Sequence, residues 1–272
     1  MTAPAADAPR AAVTRPPRPR PRPFFLIVGV AAVAMTVWAG IRIQFTLEPL
    51  FVGNPRAWGI VSQYLTPNWA FLARPAVASA WIETLVMAVL ATLVGAVAGL
   101  VFALLASRAT NRSSWLLRLV RWFLSVLRSL PEIGYAYLMV AMVSTGTLAG
   151  LLALAVFNTG IIAKLTSETV DAVVTGPLEA ADAAGATTFQ RSLTAVLPQV
   201  WPGFLSYVLY VFEMNLRASA IIGLVGAGGI GSLINVERAR FHYDNVSVMI
   251  IGLVVIVILL DLVSRAARRR LI

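Results

Sequence analysis

The chain has 272 residues, 59% of them hydrophobic and only 12% charged, with a mean hydropathy of +0.82, whereas soluble domains carry about a quarter charged residues. Its formal charge of +10 would suit a nucleic-acid partner if the arginines gathered on a polar face, but they punctuate apolar runs instead, so nucleic acid is not expected as a partner. With no cysteine and a single histidine, disulfides, thiolate metal sites and multi-histidine centres are excluded; no metal or catalytic residue is expected, and His242 reads as an ordinary loop residue.

Residues 1–23, "MTAPAADAPRAAVTRPPRPRPRP", form a proline-rich basic stretch that cannot bury a core and should be a disordered tail. The apolar run that follows, Phe24 to Ile43, exceeds the hydrophobic region of a signal peptide, and Ile41-Arg42-Ile43 is a poor cleavage site. It reads as a first membrane helix, with residues 44–78 as an external segment in which Trp58, Tyr64 and Trp69 serve as interfacial anchors. A second span covers Ser79 to Ala106, with Glu83 near its start. The charge-free stretch Ile133 to Ala163 is too long for one crossing, and Ser144-Thr145-Gly146-Thr147 divides it into a third helix entering from about Trp115 and a fourth from about Leu148. The fifth runs from about Trp201 to Leu224 and the sixth from Val246 to about Val263, with Asp261 paired to a basic neighbour near its end. The expectation is an all-α polytopic membrane protein of about six spans, in which residues 79–272 form the core domain.

Six crossings put both termini on one side. Sixteen of the 22 basic residues fall in the two termini, the connection after helix two with the start of helix three, and the connection after helix four, so that face reads as cytoplasmic. "GLVGAGGIG", Gly223 to Gly231, holds a literal G-x-G-x-x-G, but it follows a membrane helix rather than a strand and lies towards the outer face. No dinucleotide is expected there. Irregular backbone at that depth is tolerated only when buried in protein or lining a watery path.

"GPLEAADAAGATTFQRSLTAVLPQVWPG", Gly176 to Gly203, reads as a short helix outside the bilayer bracketed by Pro177 and Pro198, with Glu179 and Asp182 early and Arg191 late to suit the helix dipole. Small side chains at 180, 181, 183 and 184 permit close docking, and Gly185 permits a sharp bend. Glu179-Ala180-Ala181, then Gly185, then Leu197-Pro198, resembles the EAA signature of ABC-importer permeases; Ala195 departs from an aliphatic preference of that pattern. "SVLRSLPEIGYAYLMV" is similar to the arginine–x–x–proline segment that opens a core helix in the type I importer fold, with Glu132 beginning the helix after Pro131, and "GLVGAGGIG" resembles a segment of the methionine, glycine-betaine and phosphonate branches.

The resemblance covers roughly Ser79 to Arg270. It implies a coupling helix between helices four and five, in a loop of about residues 171–199, whose Glu179, Ala180, Ala181, Gly185, Ala186 and Thr187 contact an ATPase. It also implies a second permease copy or paralogue, two cytoplasmic ABC ATPase subunits and an external substrate-binding protein, in a bacterial plasma membrane. This chain would bind no cofactor, ATP and Mg belonging to the partner ATPase; no G-x-x-x-x-G-K-[ST] occurs here, and the one lysine, Lys164, follows Ile161-Ile162-Ala163.

Within the fifth span lies "FEMNLRASA". Glu213 and Arg217 stand four apart on one helix face and are expected to pair, since burying either charge alone costs at least about 2.5–3.5 kcal/mol. Glutamate–x–asparagine–x–arginine–alanine ahead of the glycine segment resembles phosphonate and phosphite importer permeases. That resemblance implies a translocation path or gate involving Glu213, Asn215, Arg217, Gly226, Gly228 and Gly229, with Arg217 beside an anion's route. A purely structural Glu213–Arg217 salt bridge stays open as the other reading. Further alternatives are a methionine or glycine-betaine permease, an ATP-independent secondary transporter or channel, for which no internal repeat or mid-membrane ion site is found, and an intramembrane enzyme, which lacks a nucleophile–base or metal constellation.

Overall fold

The structure, a computed structural model, describes residues 23–48 and 55–268. The proline-rich tail, residues 49–54 of the external segment and the last four residues lie outside the described residues.

Helix α1, Pro23–Arg42, belongs to a separate unit and is apolar all round, as a membrane-spanning helix can be. At 1.5 Å per residue its 20 residues match a bilayer core of about 30 Å. The second unit holds α2 (Pro55–Leu65), a 3-10 turn (Trp69–Ala73), α3 (Pro75–Ala106), α4 (Ser114–Ser129), α5 (Glu132–Val143), α6 (Thr147–Asp171), α7 (Thr175–Ala183), α8 (Thr188–Arg191), a π turn (Ser192–Val196), α9 (Leu197–Gly223), α10 (Gly229–Ala239) and α11 (Tyr243–Arg268). Among the described residues five helices are long and apolar enough to cross a membrane. The pair α4 and α5 makes a sixth candidate only as a broken span.

That break divides the third helix expected from about Trp115 at Pro131: α4 and α5 meet at 90°. Pro131 disfavours helical backbone in the residue before it, and Leu130 is extended at φ −94°, ψ 135°. The Tyr135 hydroxyl donates to the Leu127 carbonyl at 2.7 Å, satisfying an acceptor that the interrupted helix leaves without an amide. The other spans run close to their expected ranges, although α3 begins at Pro75, where a proline fits the first helical position.

The bundle centres on α3 against α6. A β-carbon on Gly95 would lie 2.5 Å from the Asn158 Cβ, and one on Gly99 would lie 2.8 Å from the Ile162 Cβ. The four-residue spacing of Gly95 and Gly99 removes side chains from one stripe of α3, so the two backbones meet directly. Around this contact pack Met87 and Ala91 of α3, Tyr135 and Ala136 of α5, Ala153–Ala155 of α6, and Ala218 and Ile222 of α9. Towards α7 and α8 a second cluster joins Ile162 and Val170 to Leu178, Val196, Val200 and Phe204. At the opposite end Phe71, Val77, Ile230, Ile234 and Met249 form a third.

The segment ahead of α3 docks on the start of α11. Tyr64 stacks on Tyr243 with centroids 5.3 Å apart and accepts the Ser247 hydroxyl on its carbonyl at 2.6 Å. It is a packed residue rather than a free anchor, whereas Trp58 and Trp69 are exposed.

Replacing Gly99 with valine should force α3 from α6 and cost about 1–3 kcal/mol. The expected readout is a lower melting temperature of the purified protein in detergent, with Gly59→Val, which meets no atom within 4 Å, as the neutral comparison.

Candidate coupling loop and translocation path

After α6 the chain makes the compact helix α7, whose single buried residue, Leu178, enters the cluster with Val196 and Val200. Glu179 and Ala180 point outward and Ala181 is half-buried. The helix stops because Gly185 takes φ +75°, a left-handed conformation that costs glycine little. The Ala186 amide then donates to the Ala181 carbonyl and the Gly185 amide to the Asp182 carbonyl, both at 3.0 Å, closing the carbonyl end. Thr187 starts the next helix: its hydroxyl accepts the Gln190 amide at 3.3 Å, while the Gln190 side chain accepts the Thr187 amide at 2.9 Å.

The single helix expected between Pro177 and Pro198 is therefore a helix–turn–helix, and Pro198 belongs to the first turn of α9. Arg191 does not complement the dipole of α7. It sits on α8, buried, and turns back to Asp182 at 2.9 Å and to the Ala109 carbonyl. Arg112 reaches the same carboxylate at 3.1 Å. Asp182 thus joins α7, α8 and the α3–α4 connection. Ala195, the departure from the signature, lies buried in the π turn beside Val196.

A second carboxylate, Asp171 at the end of α6, performs the same task eleven residues earlier. It accepts the Ser107 hydroxyl at 2.5 Å, the Arg108 amide at 2.8 Å and the Arg121 guanidinium at 2.8 Å. Sequence reasoning passed over Asp171 and saw Arg108 and Arg121 only as topology charges. An aspartate closing a long apolar helix, opposite a connection rich in arginine, was the available signal.

The expected Glu213–Arg217 pair does not form. The buried Glu213 carboxylate instead meets Arg268, 55 residues on, at the end of α11. Arg217 is exposed and has no carboxylate partner among the described residues. Residues four apart differ by about 40° around a helix, enough here for Glu213 to face α11 while Arg217 looks outward. Asn215 is fully buried and donates to the Thr92 hydroxyl at 2.7 Å, so it bolts α9 to α3. Asp261 pairs with Arg265 as expected. Glu83 is exposed and lines an apolar cavity of about 320 Å³ with Met87, Leu90 and Leu151.

The glycine segment is a packed reversal between α9 and α10. Gly226, Gly228 and Gly229 have φ of +89°, +83° and +67°. A β-carbon on Gly228 would fall 2.7 Å from the Thr147 backbone, and the Gly226 carbonyl accepts the Gly146 amide at 2.9 Å. The Thr84 hydroxyl accepts the Ile230 amide at 2.8 Å, capping α10 from α3. These glycines therefore bring the start of α6, α3 and α10 together beside a cavity of about 390 Å³ bordered by Thr145, Ser232 and Asn235.

Residues 95–272 match the family described as binding-protein-dependent transport system inner membrane component. The chain belongs to that family. It is the permease subunit of a binding-protein-dependent importer and a multi-pass membrane protein. The permease is 38% identical over 188 residues to the phosphite transport system permease protein PtxC of Stutzerimonas stutzeri, covering 69% of this chain and 68% of that one. It is 30% identical to the putative phosphite transport system permease protein HtxC of the same organism, covering 92% and 87%. Its fold superposes on a chain of the inward-facing MetNI methionine ABC transporter with a TM-score of 0.62 at 27% identity, covering 70% and 93% of the two chains. The type I importer permease fold expected from the sequence is thus the fold observed.

The permease also carries a polar knot that sequence reasoning missed. Glu237, buried at the end of α10, accepts Asn245 at 2.7 Å, lies 3.0 Å from His242 Nδ1 and 3.2 Å from Arg240. Asn245 in turn accepts the Asn68 amide at 3.0 Å. His242, expected to be an unremarkable loop residue, is a partner in tying α10 to α11. Burial pushes the Glu237 carboxyl up, but the bonds from Asn245 and His242 and the charges of His242 and Arg240 outweigh it and hold the pKa below its ordinary 4.5. A depressed folded pKa contributes stability above the unfolded value, which is lost as pH falls through the folded one. The melting temperature should therefore drop as pH is lowered through and below about 4.5, and Glu237→Gln should flatten that part of the profile.

Proposed function

We propose that this permease moves phosphite- or phosphonate-type oxyanions, with Arg217 supplying positive charge along the path and Glu179 transmitting the ATPase stroke. The observation that carries the substrate reading is the state of two charges four residues apart. Glu213 is neutralised by Arg268, so Arg217 keeps its charge for something else. An arginine left in hydrocarbon costs at least about 2.5–3.5 kcal/mol, which favours a watery path or a subunit seam over lipid. An anion with two or three oxygens suits a guanidinium's paired donors. The names of the two relatives from Stutzerimonas stutzeri support the same substrate class.

In this reading two copies, or this chain and a paralogue, enclose the path, and an external binding protein delivers the anion. Two ATPase subunits, holding ATP and Mg, dock on Glu179, Ala180, Ala181, Gly185, Ala186 and Thr187. Both termini and α7 lie on the cytoplasmic side. The outward-facing Glu179 and Ala180, on a helix anchored by Leu178 and Asp182, support that docking: the exposed face is small and flat, while the opposite face is fixed to the bundle. Gly226, Gly228 and Gly229 then act as the tight seam between the helices of the gate.

Two measurements test the proposal. In vesicles holding the complete importer, Arg217→Ala should reduce phosphite or phosphonate uptake by about tenfold or more, the loss of one charge-assisted contact of about 1.5–3 kcal/mol, while the complex still assembles. Wild-type uptake by that variant would remove Arg217 from the path. Glu179→Arg should cut ATP-dependent uptake and weaken co-purification of the ATPase; normal assembly and uptake would refute the docking assignment.

A further inference from the structure

Helix α4, "SWLLRLVRWFLSVLRS", has three faces and no acidic residue. Leu117, Val120 and Leu124 are buried against Ala106 and Ala163. Trp115, Leu119, Trp122 and Val126 form a second apolar strip that stays exposed. Arg118, Arg121, Ser125 and Arg128 share the third face, by helical spacing. Two apolar faces beside one basic face are what a helix needs to sit where hydrocarbon, protein and head groups meet.

The basic face opens into a cavity of about 190 Å³ between α4, the end of α3 and the half of α6 nearest the coupling loop. Arg121, Arg128, Lys164, Ser125 and Ser167 line it, together with the carboxylates of Glu168 and Asp171. The charges are unevenly committed. Arg121 is fixed by Asp171 at 2.8 Å and by the Ala106 carbonyl at 2.7 Å. Lys164 lies 2.7 Å from Glu168, but both side chains are about half exposed, and exposed pairs of this kind contribute roughly 0–1 kcal/mol. Such a pair exchanges readily for another anion. Arg128 has its Nε on the Leu124 carbonyl at 3.3 Å and no carboxylate partner among the described residues. Its stem lies across Gly160, where a β-carbon would come within 3.1 Å of the Arg128 Cγ. The guanidinium is therefore aimed while its outer nitrogens keep their donors.

We propose that this cavity seats the phosphate of an anionic phospholipid from the leaflet on the coupling-loop side. Arg128 is the principal cation, Lys164 the second, and the acyl chains lie along Trp115, Leu119, Trp122 and Val126. A phosphate group is the shared chemistry of a lipid head group and of free inorganic phosphate. The adjoining apolar strip favours the lipid, because free phosphate has no use for it. The site is separate from Arg217 and from α7, and it would hold α4 against α6 at the place where Asp171 joins the coupling loop to the bundle.

The test uses the purified importer, permease with its ATPase, in detergent. Native mass spectrometry counts retained phosphatidylglycerol, and thermal denaturation is followed after adding phosphatidylglycerol, phosphatidylcholine or inorganic phosphate. Phosphatidylglycerol should bind and stabilise the wild type more than phosphatidylcholine. R128Q and K164Q should each weaken it by about fivefold or more, the loss of a charge-assisted contact, while R118Q, on the same helix but outside the cavity, should not. K164Q carries the test if R128Q does not assemble. Equal binding of the two lipids, or unchanged phosphatidylglycerol binding in K164Q, overturns the proposal. Protection by inorganic phosphate that displaces phosphatidylglycerol reassigns the cavity to the free ion and overturns the lipid assignment. Neither result bears on uptake by Arg217 variants, so this proposal and the substrate reading fail separately.

Discussion

Helices surrounded by hydrocarbon gain little from the hydrophobic effect when they meet, so a membrane bundle depends on how closely its backbones approach and on what is done with the polar groups inside. In this permease the approach is made by α3 and α6 at Gly95 and Gly99, where no β-carbon fits. The remaining spans are arranged around that contact. Asn215 bonds Thr92 on α3, Asn158 donates to the Ala91 carbonyl at 3.2 Å, and Thr84 caps α10. Three helices are thereby fixed to one face of α3 by side chains that would be costly to leave unpaired in lipid.

At the membrane ends the same logic runs through carboxylates. Asp171 and Asp182 gather arginines, a serine and a backbone amide where α3, α4, α6 and the coupling loop converge. Glu237 gathers Arg240, His242 and Asn245 at the other end. Each carboxylate takes several donors, which spreads one desolvated charge over several contacts and links segments far apart in the chain. The α7–α8 loop is consequently held firmly where it joins the bundle, while the face carrying Glu179 and Ala180 stays exposed. Glu213 with Arg268 adds a further tie, between α9 and the last helix.

The bend at Leu130–Pro131 gives the α4–α5 pair two jobs. Its second half, α5, packs into the core through Tyr135 and Ala136, while its first half, α4, turns a basic face to the polar cavity beside α6. One proline thus separates a core segment from a peripheral one.

Most of the architecture was legible in the sequence because the bilayer imposes a length and a hydrophobicity on each span, and those are local properties. The α1, α3, α6, α9 and α11 spans, the helix at Glu179-Ala180-Ala181 and the bend at Gly185 all follow from residues close together in the chain. What the sequence could not supply was partnership. Spacing alone joined Glu213 to Arg217, since residues four apart on a helix are neighbours, yet Arg268 arrives from 55 residues away and takes that carboxylate. Likewise Arg191 returns to Asp182, and His242 to Glu237, only because the chain reverses between them. Charges inside or beside a membrane choose the partner that best replaces lost water, and which partner is within reach is decided by the packing of α3, α6, α9 and α11 rather than by any stretch of sequence.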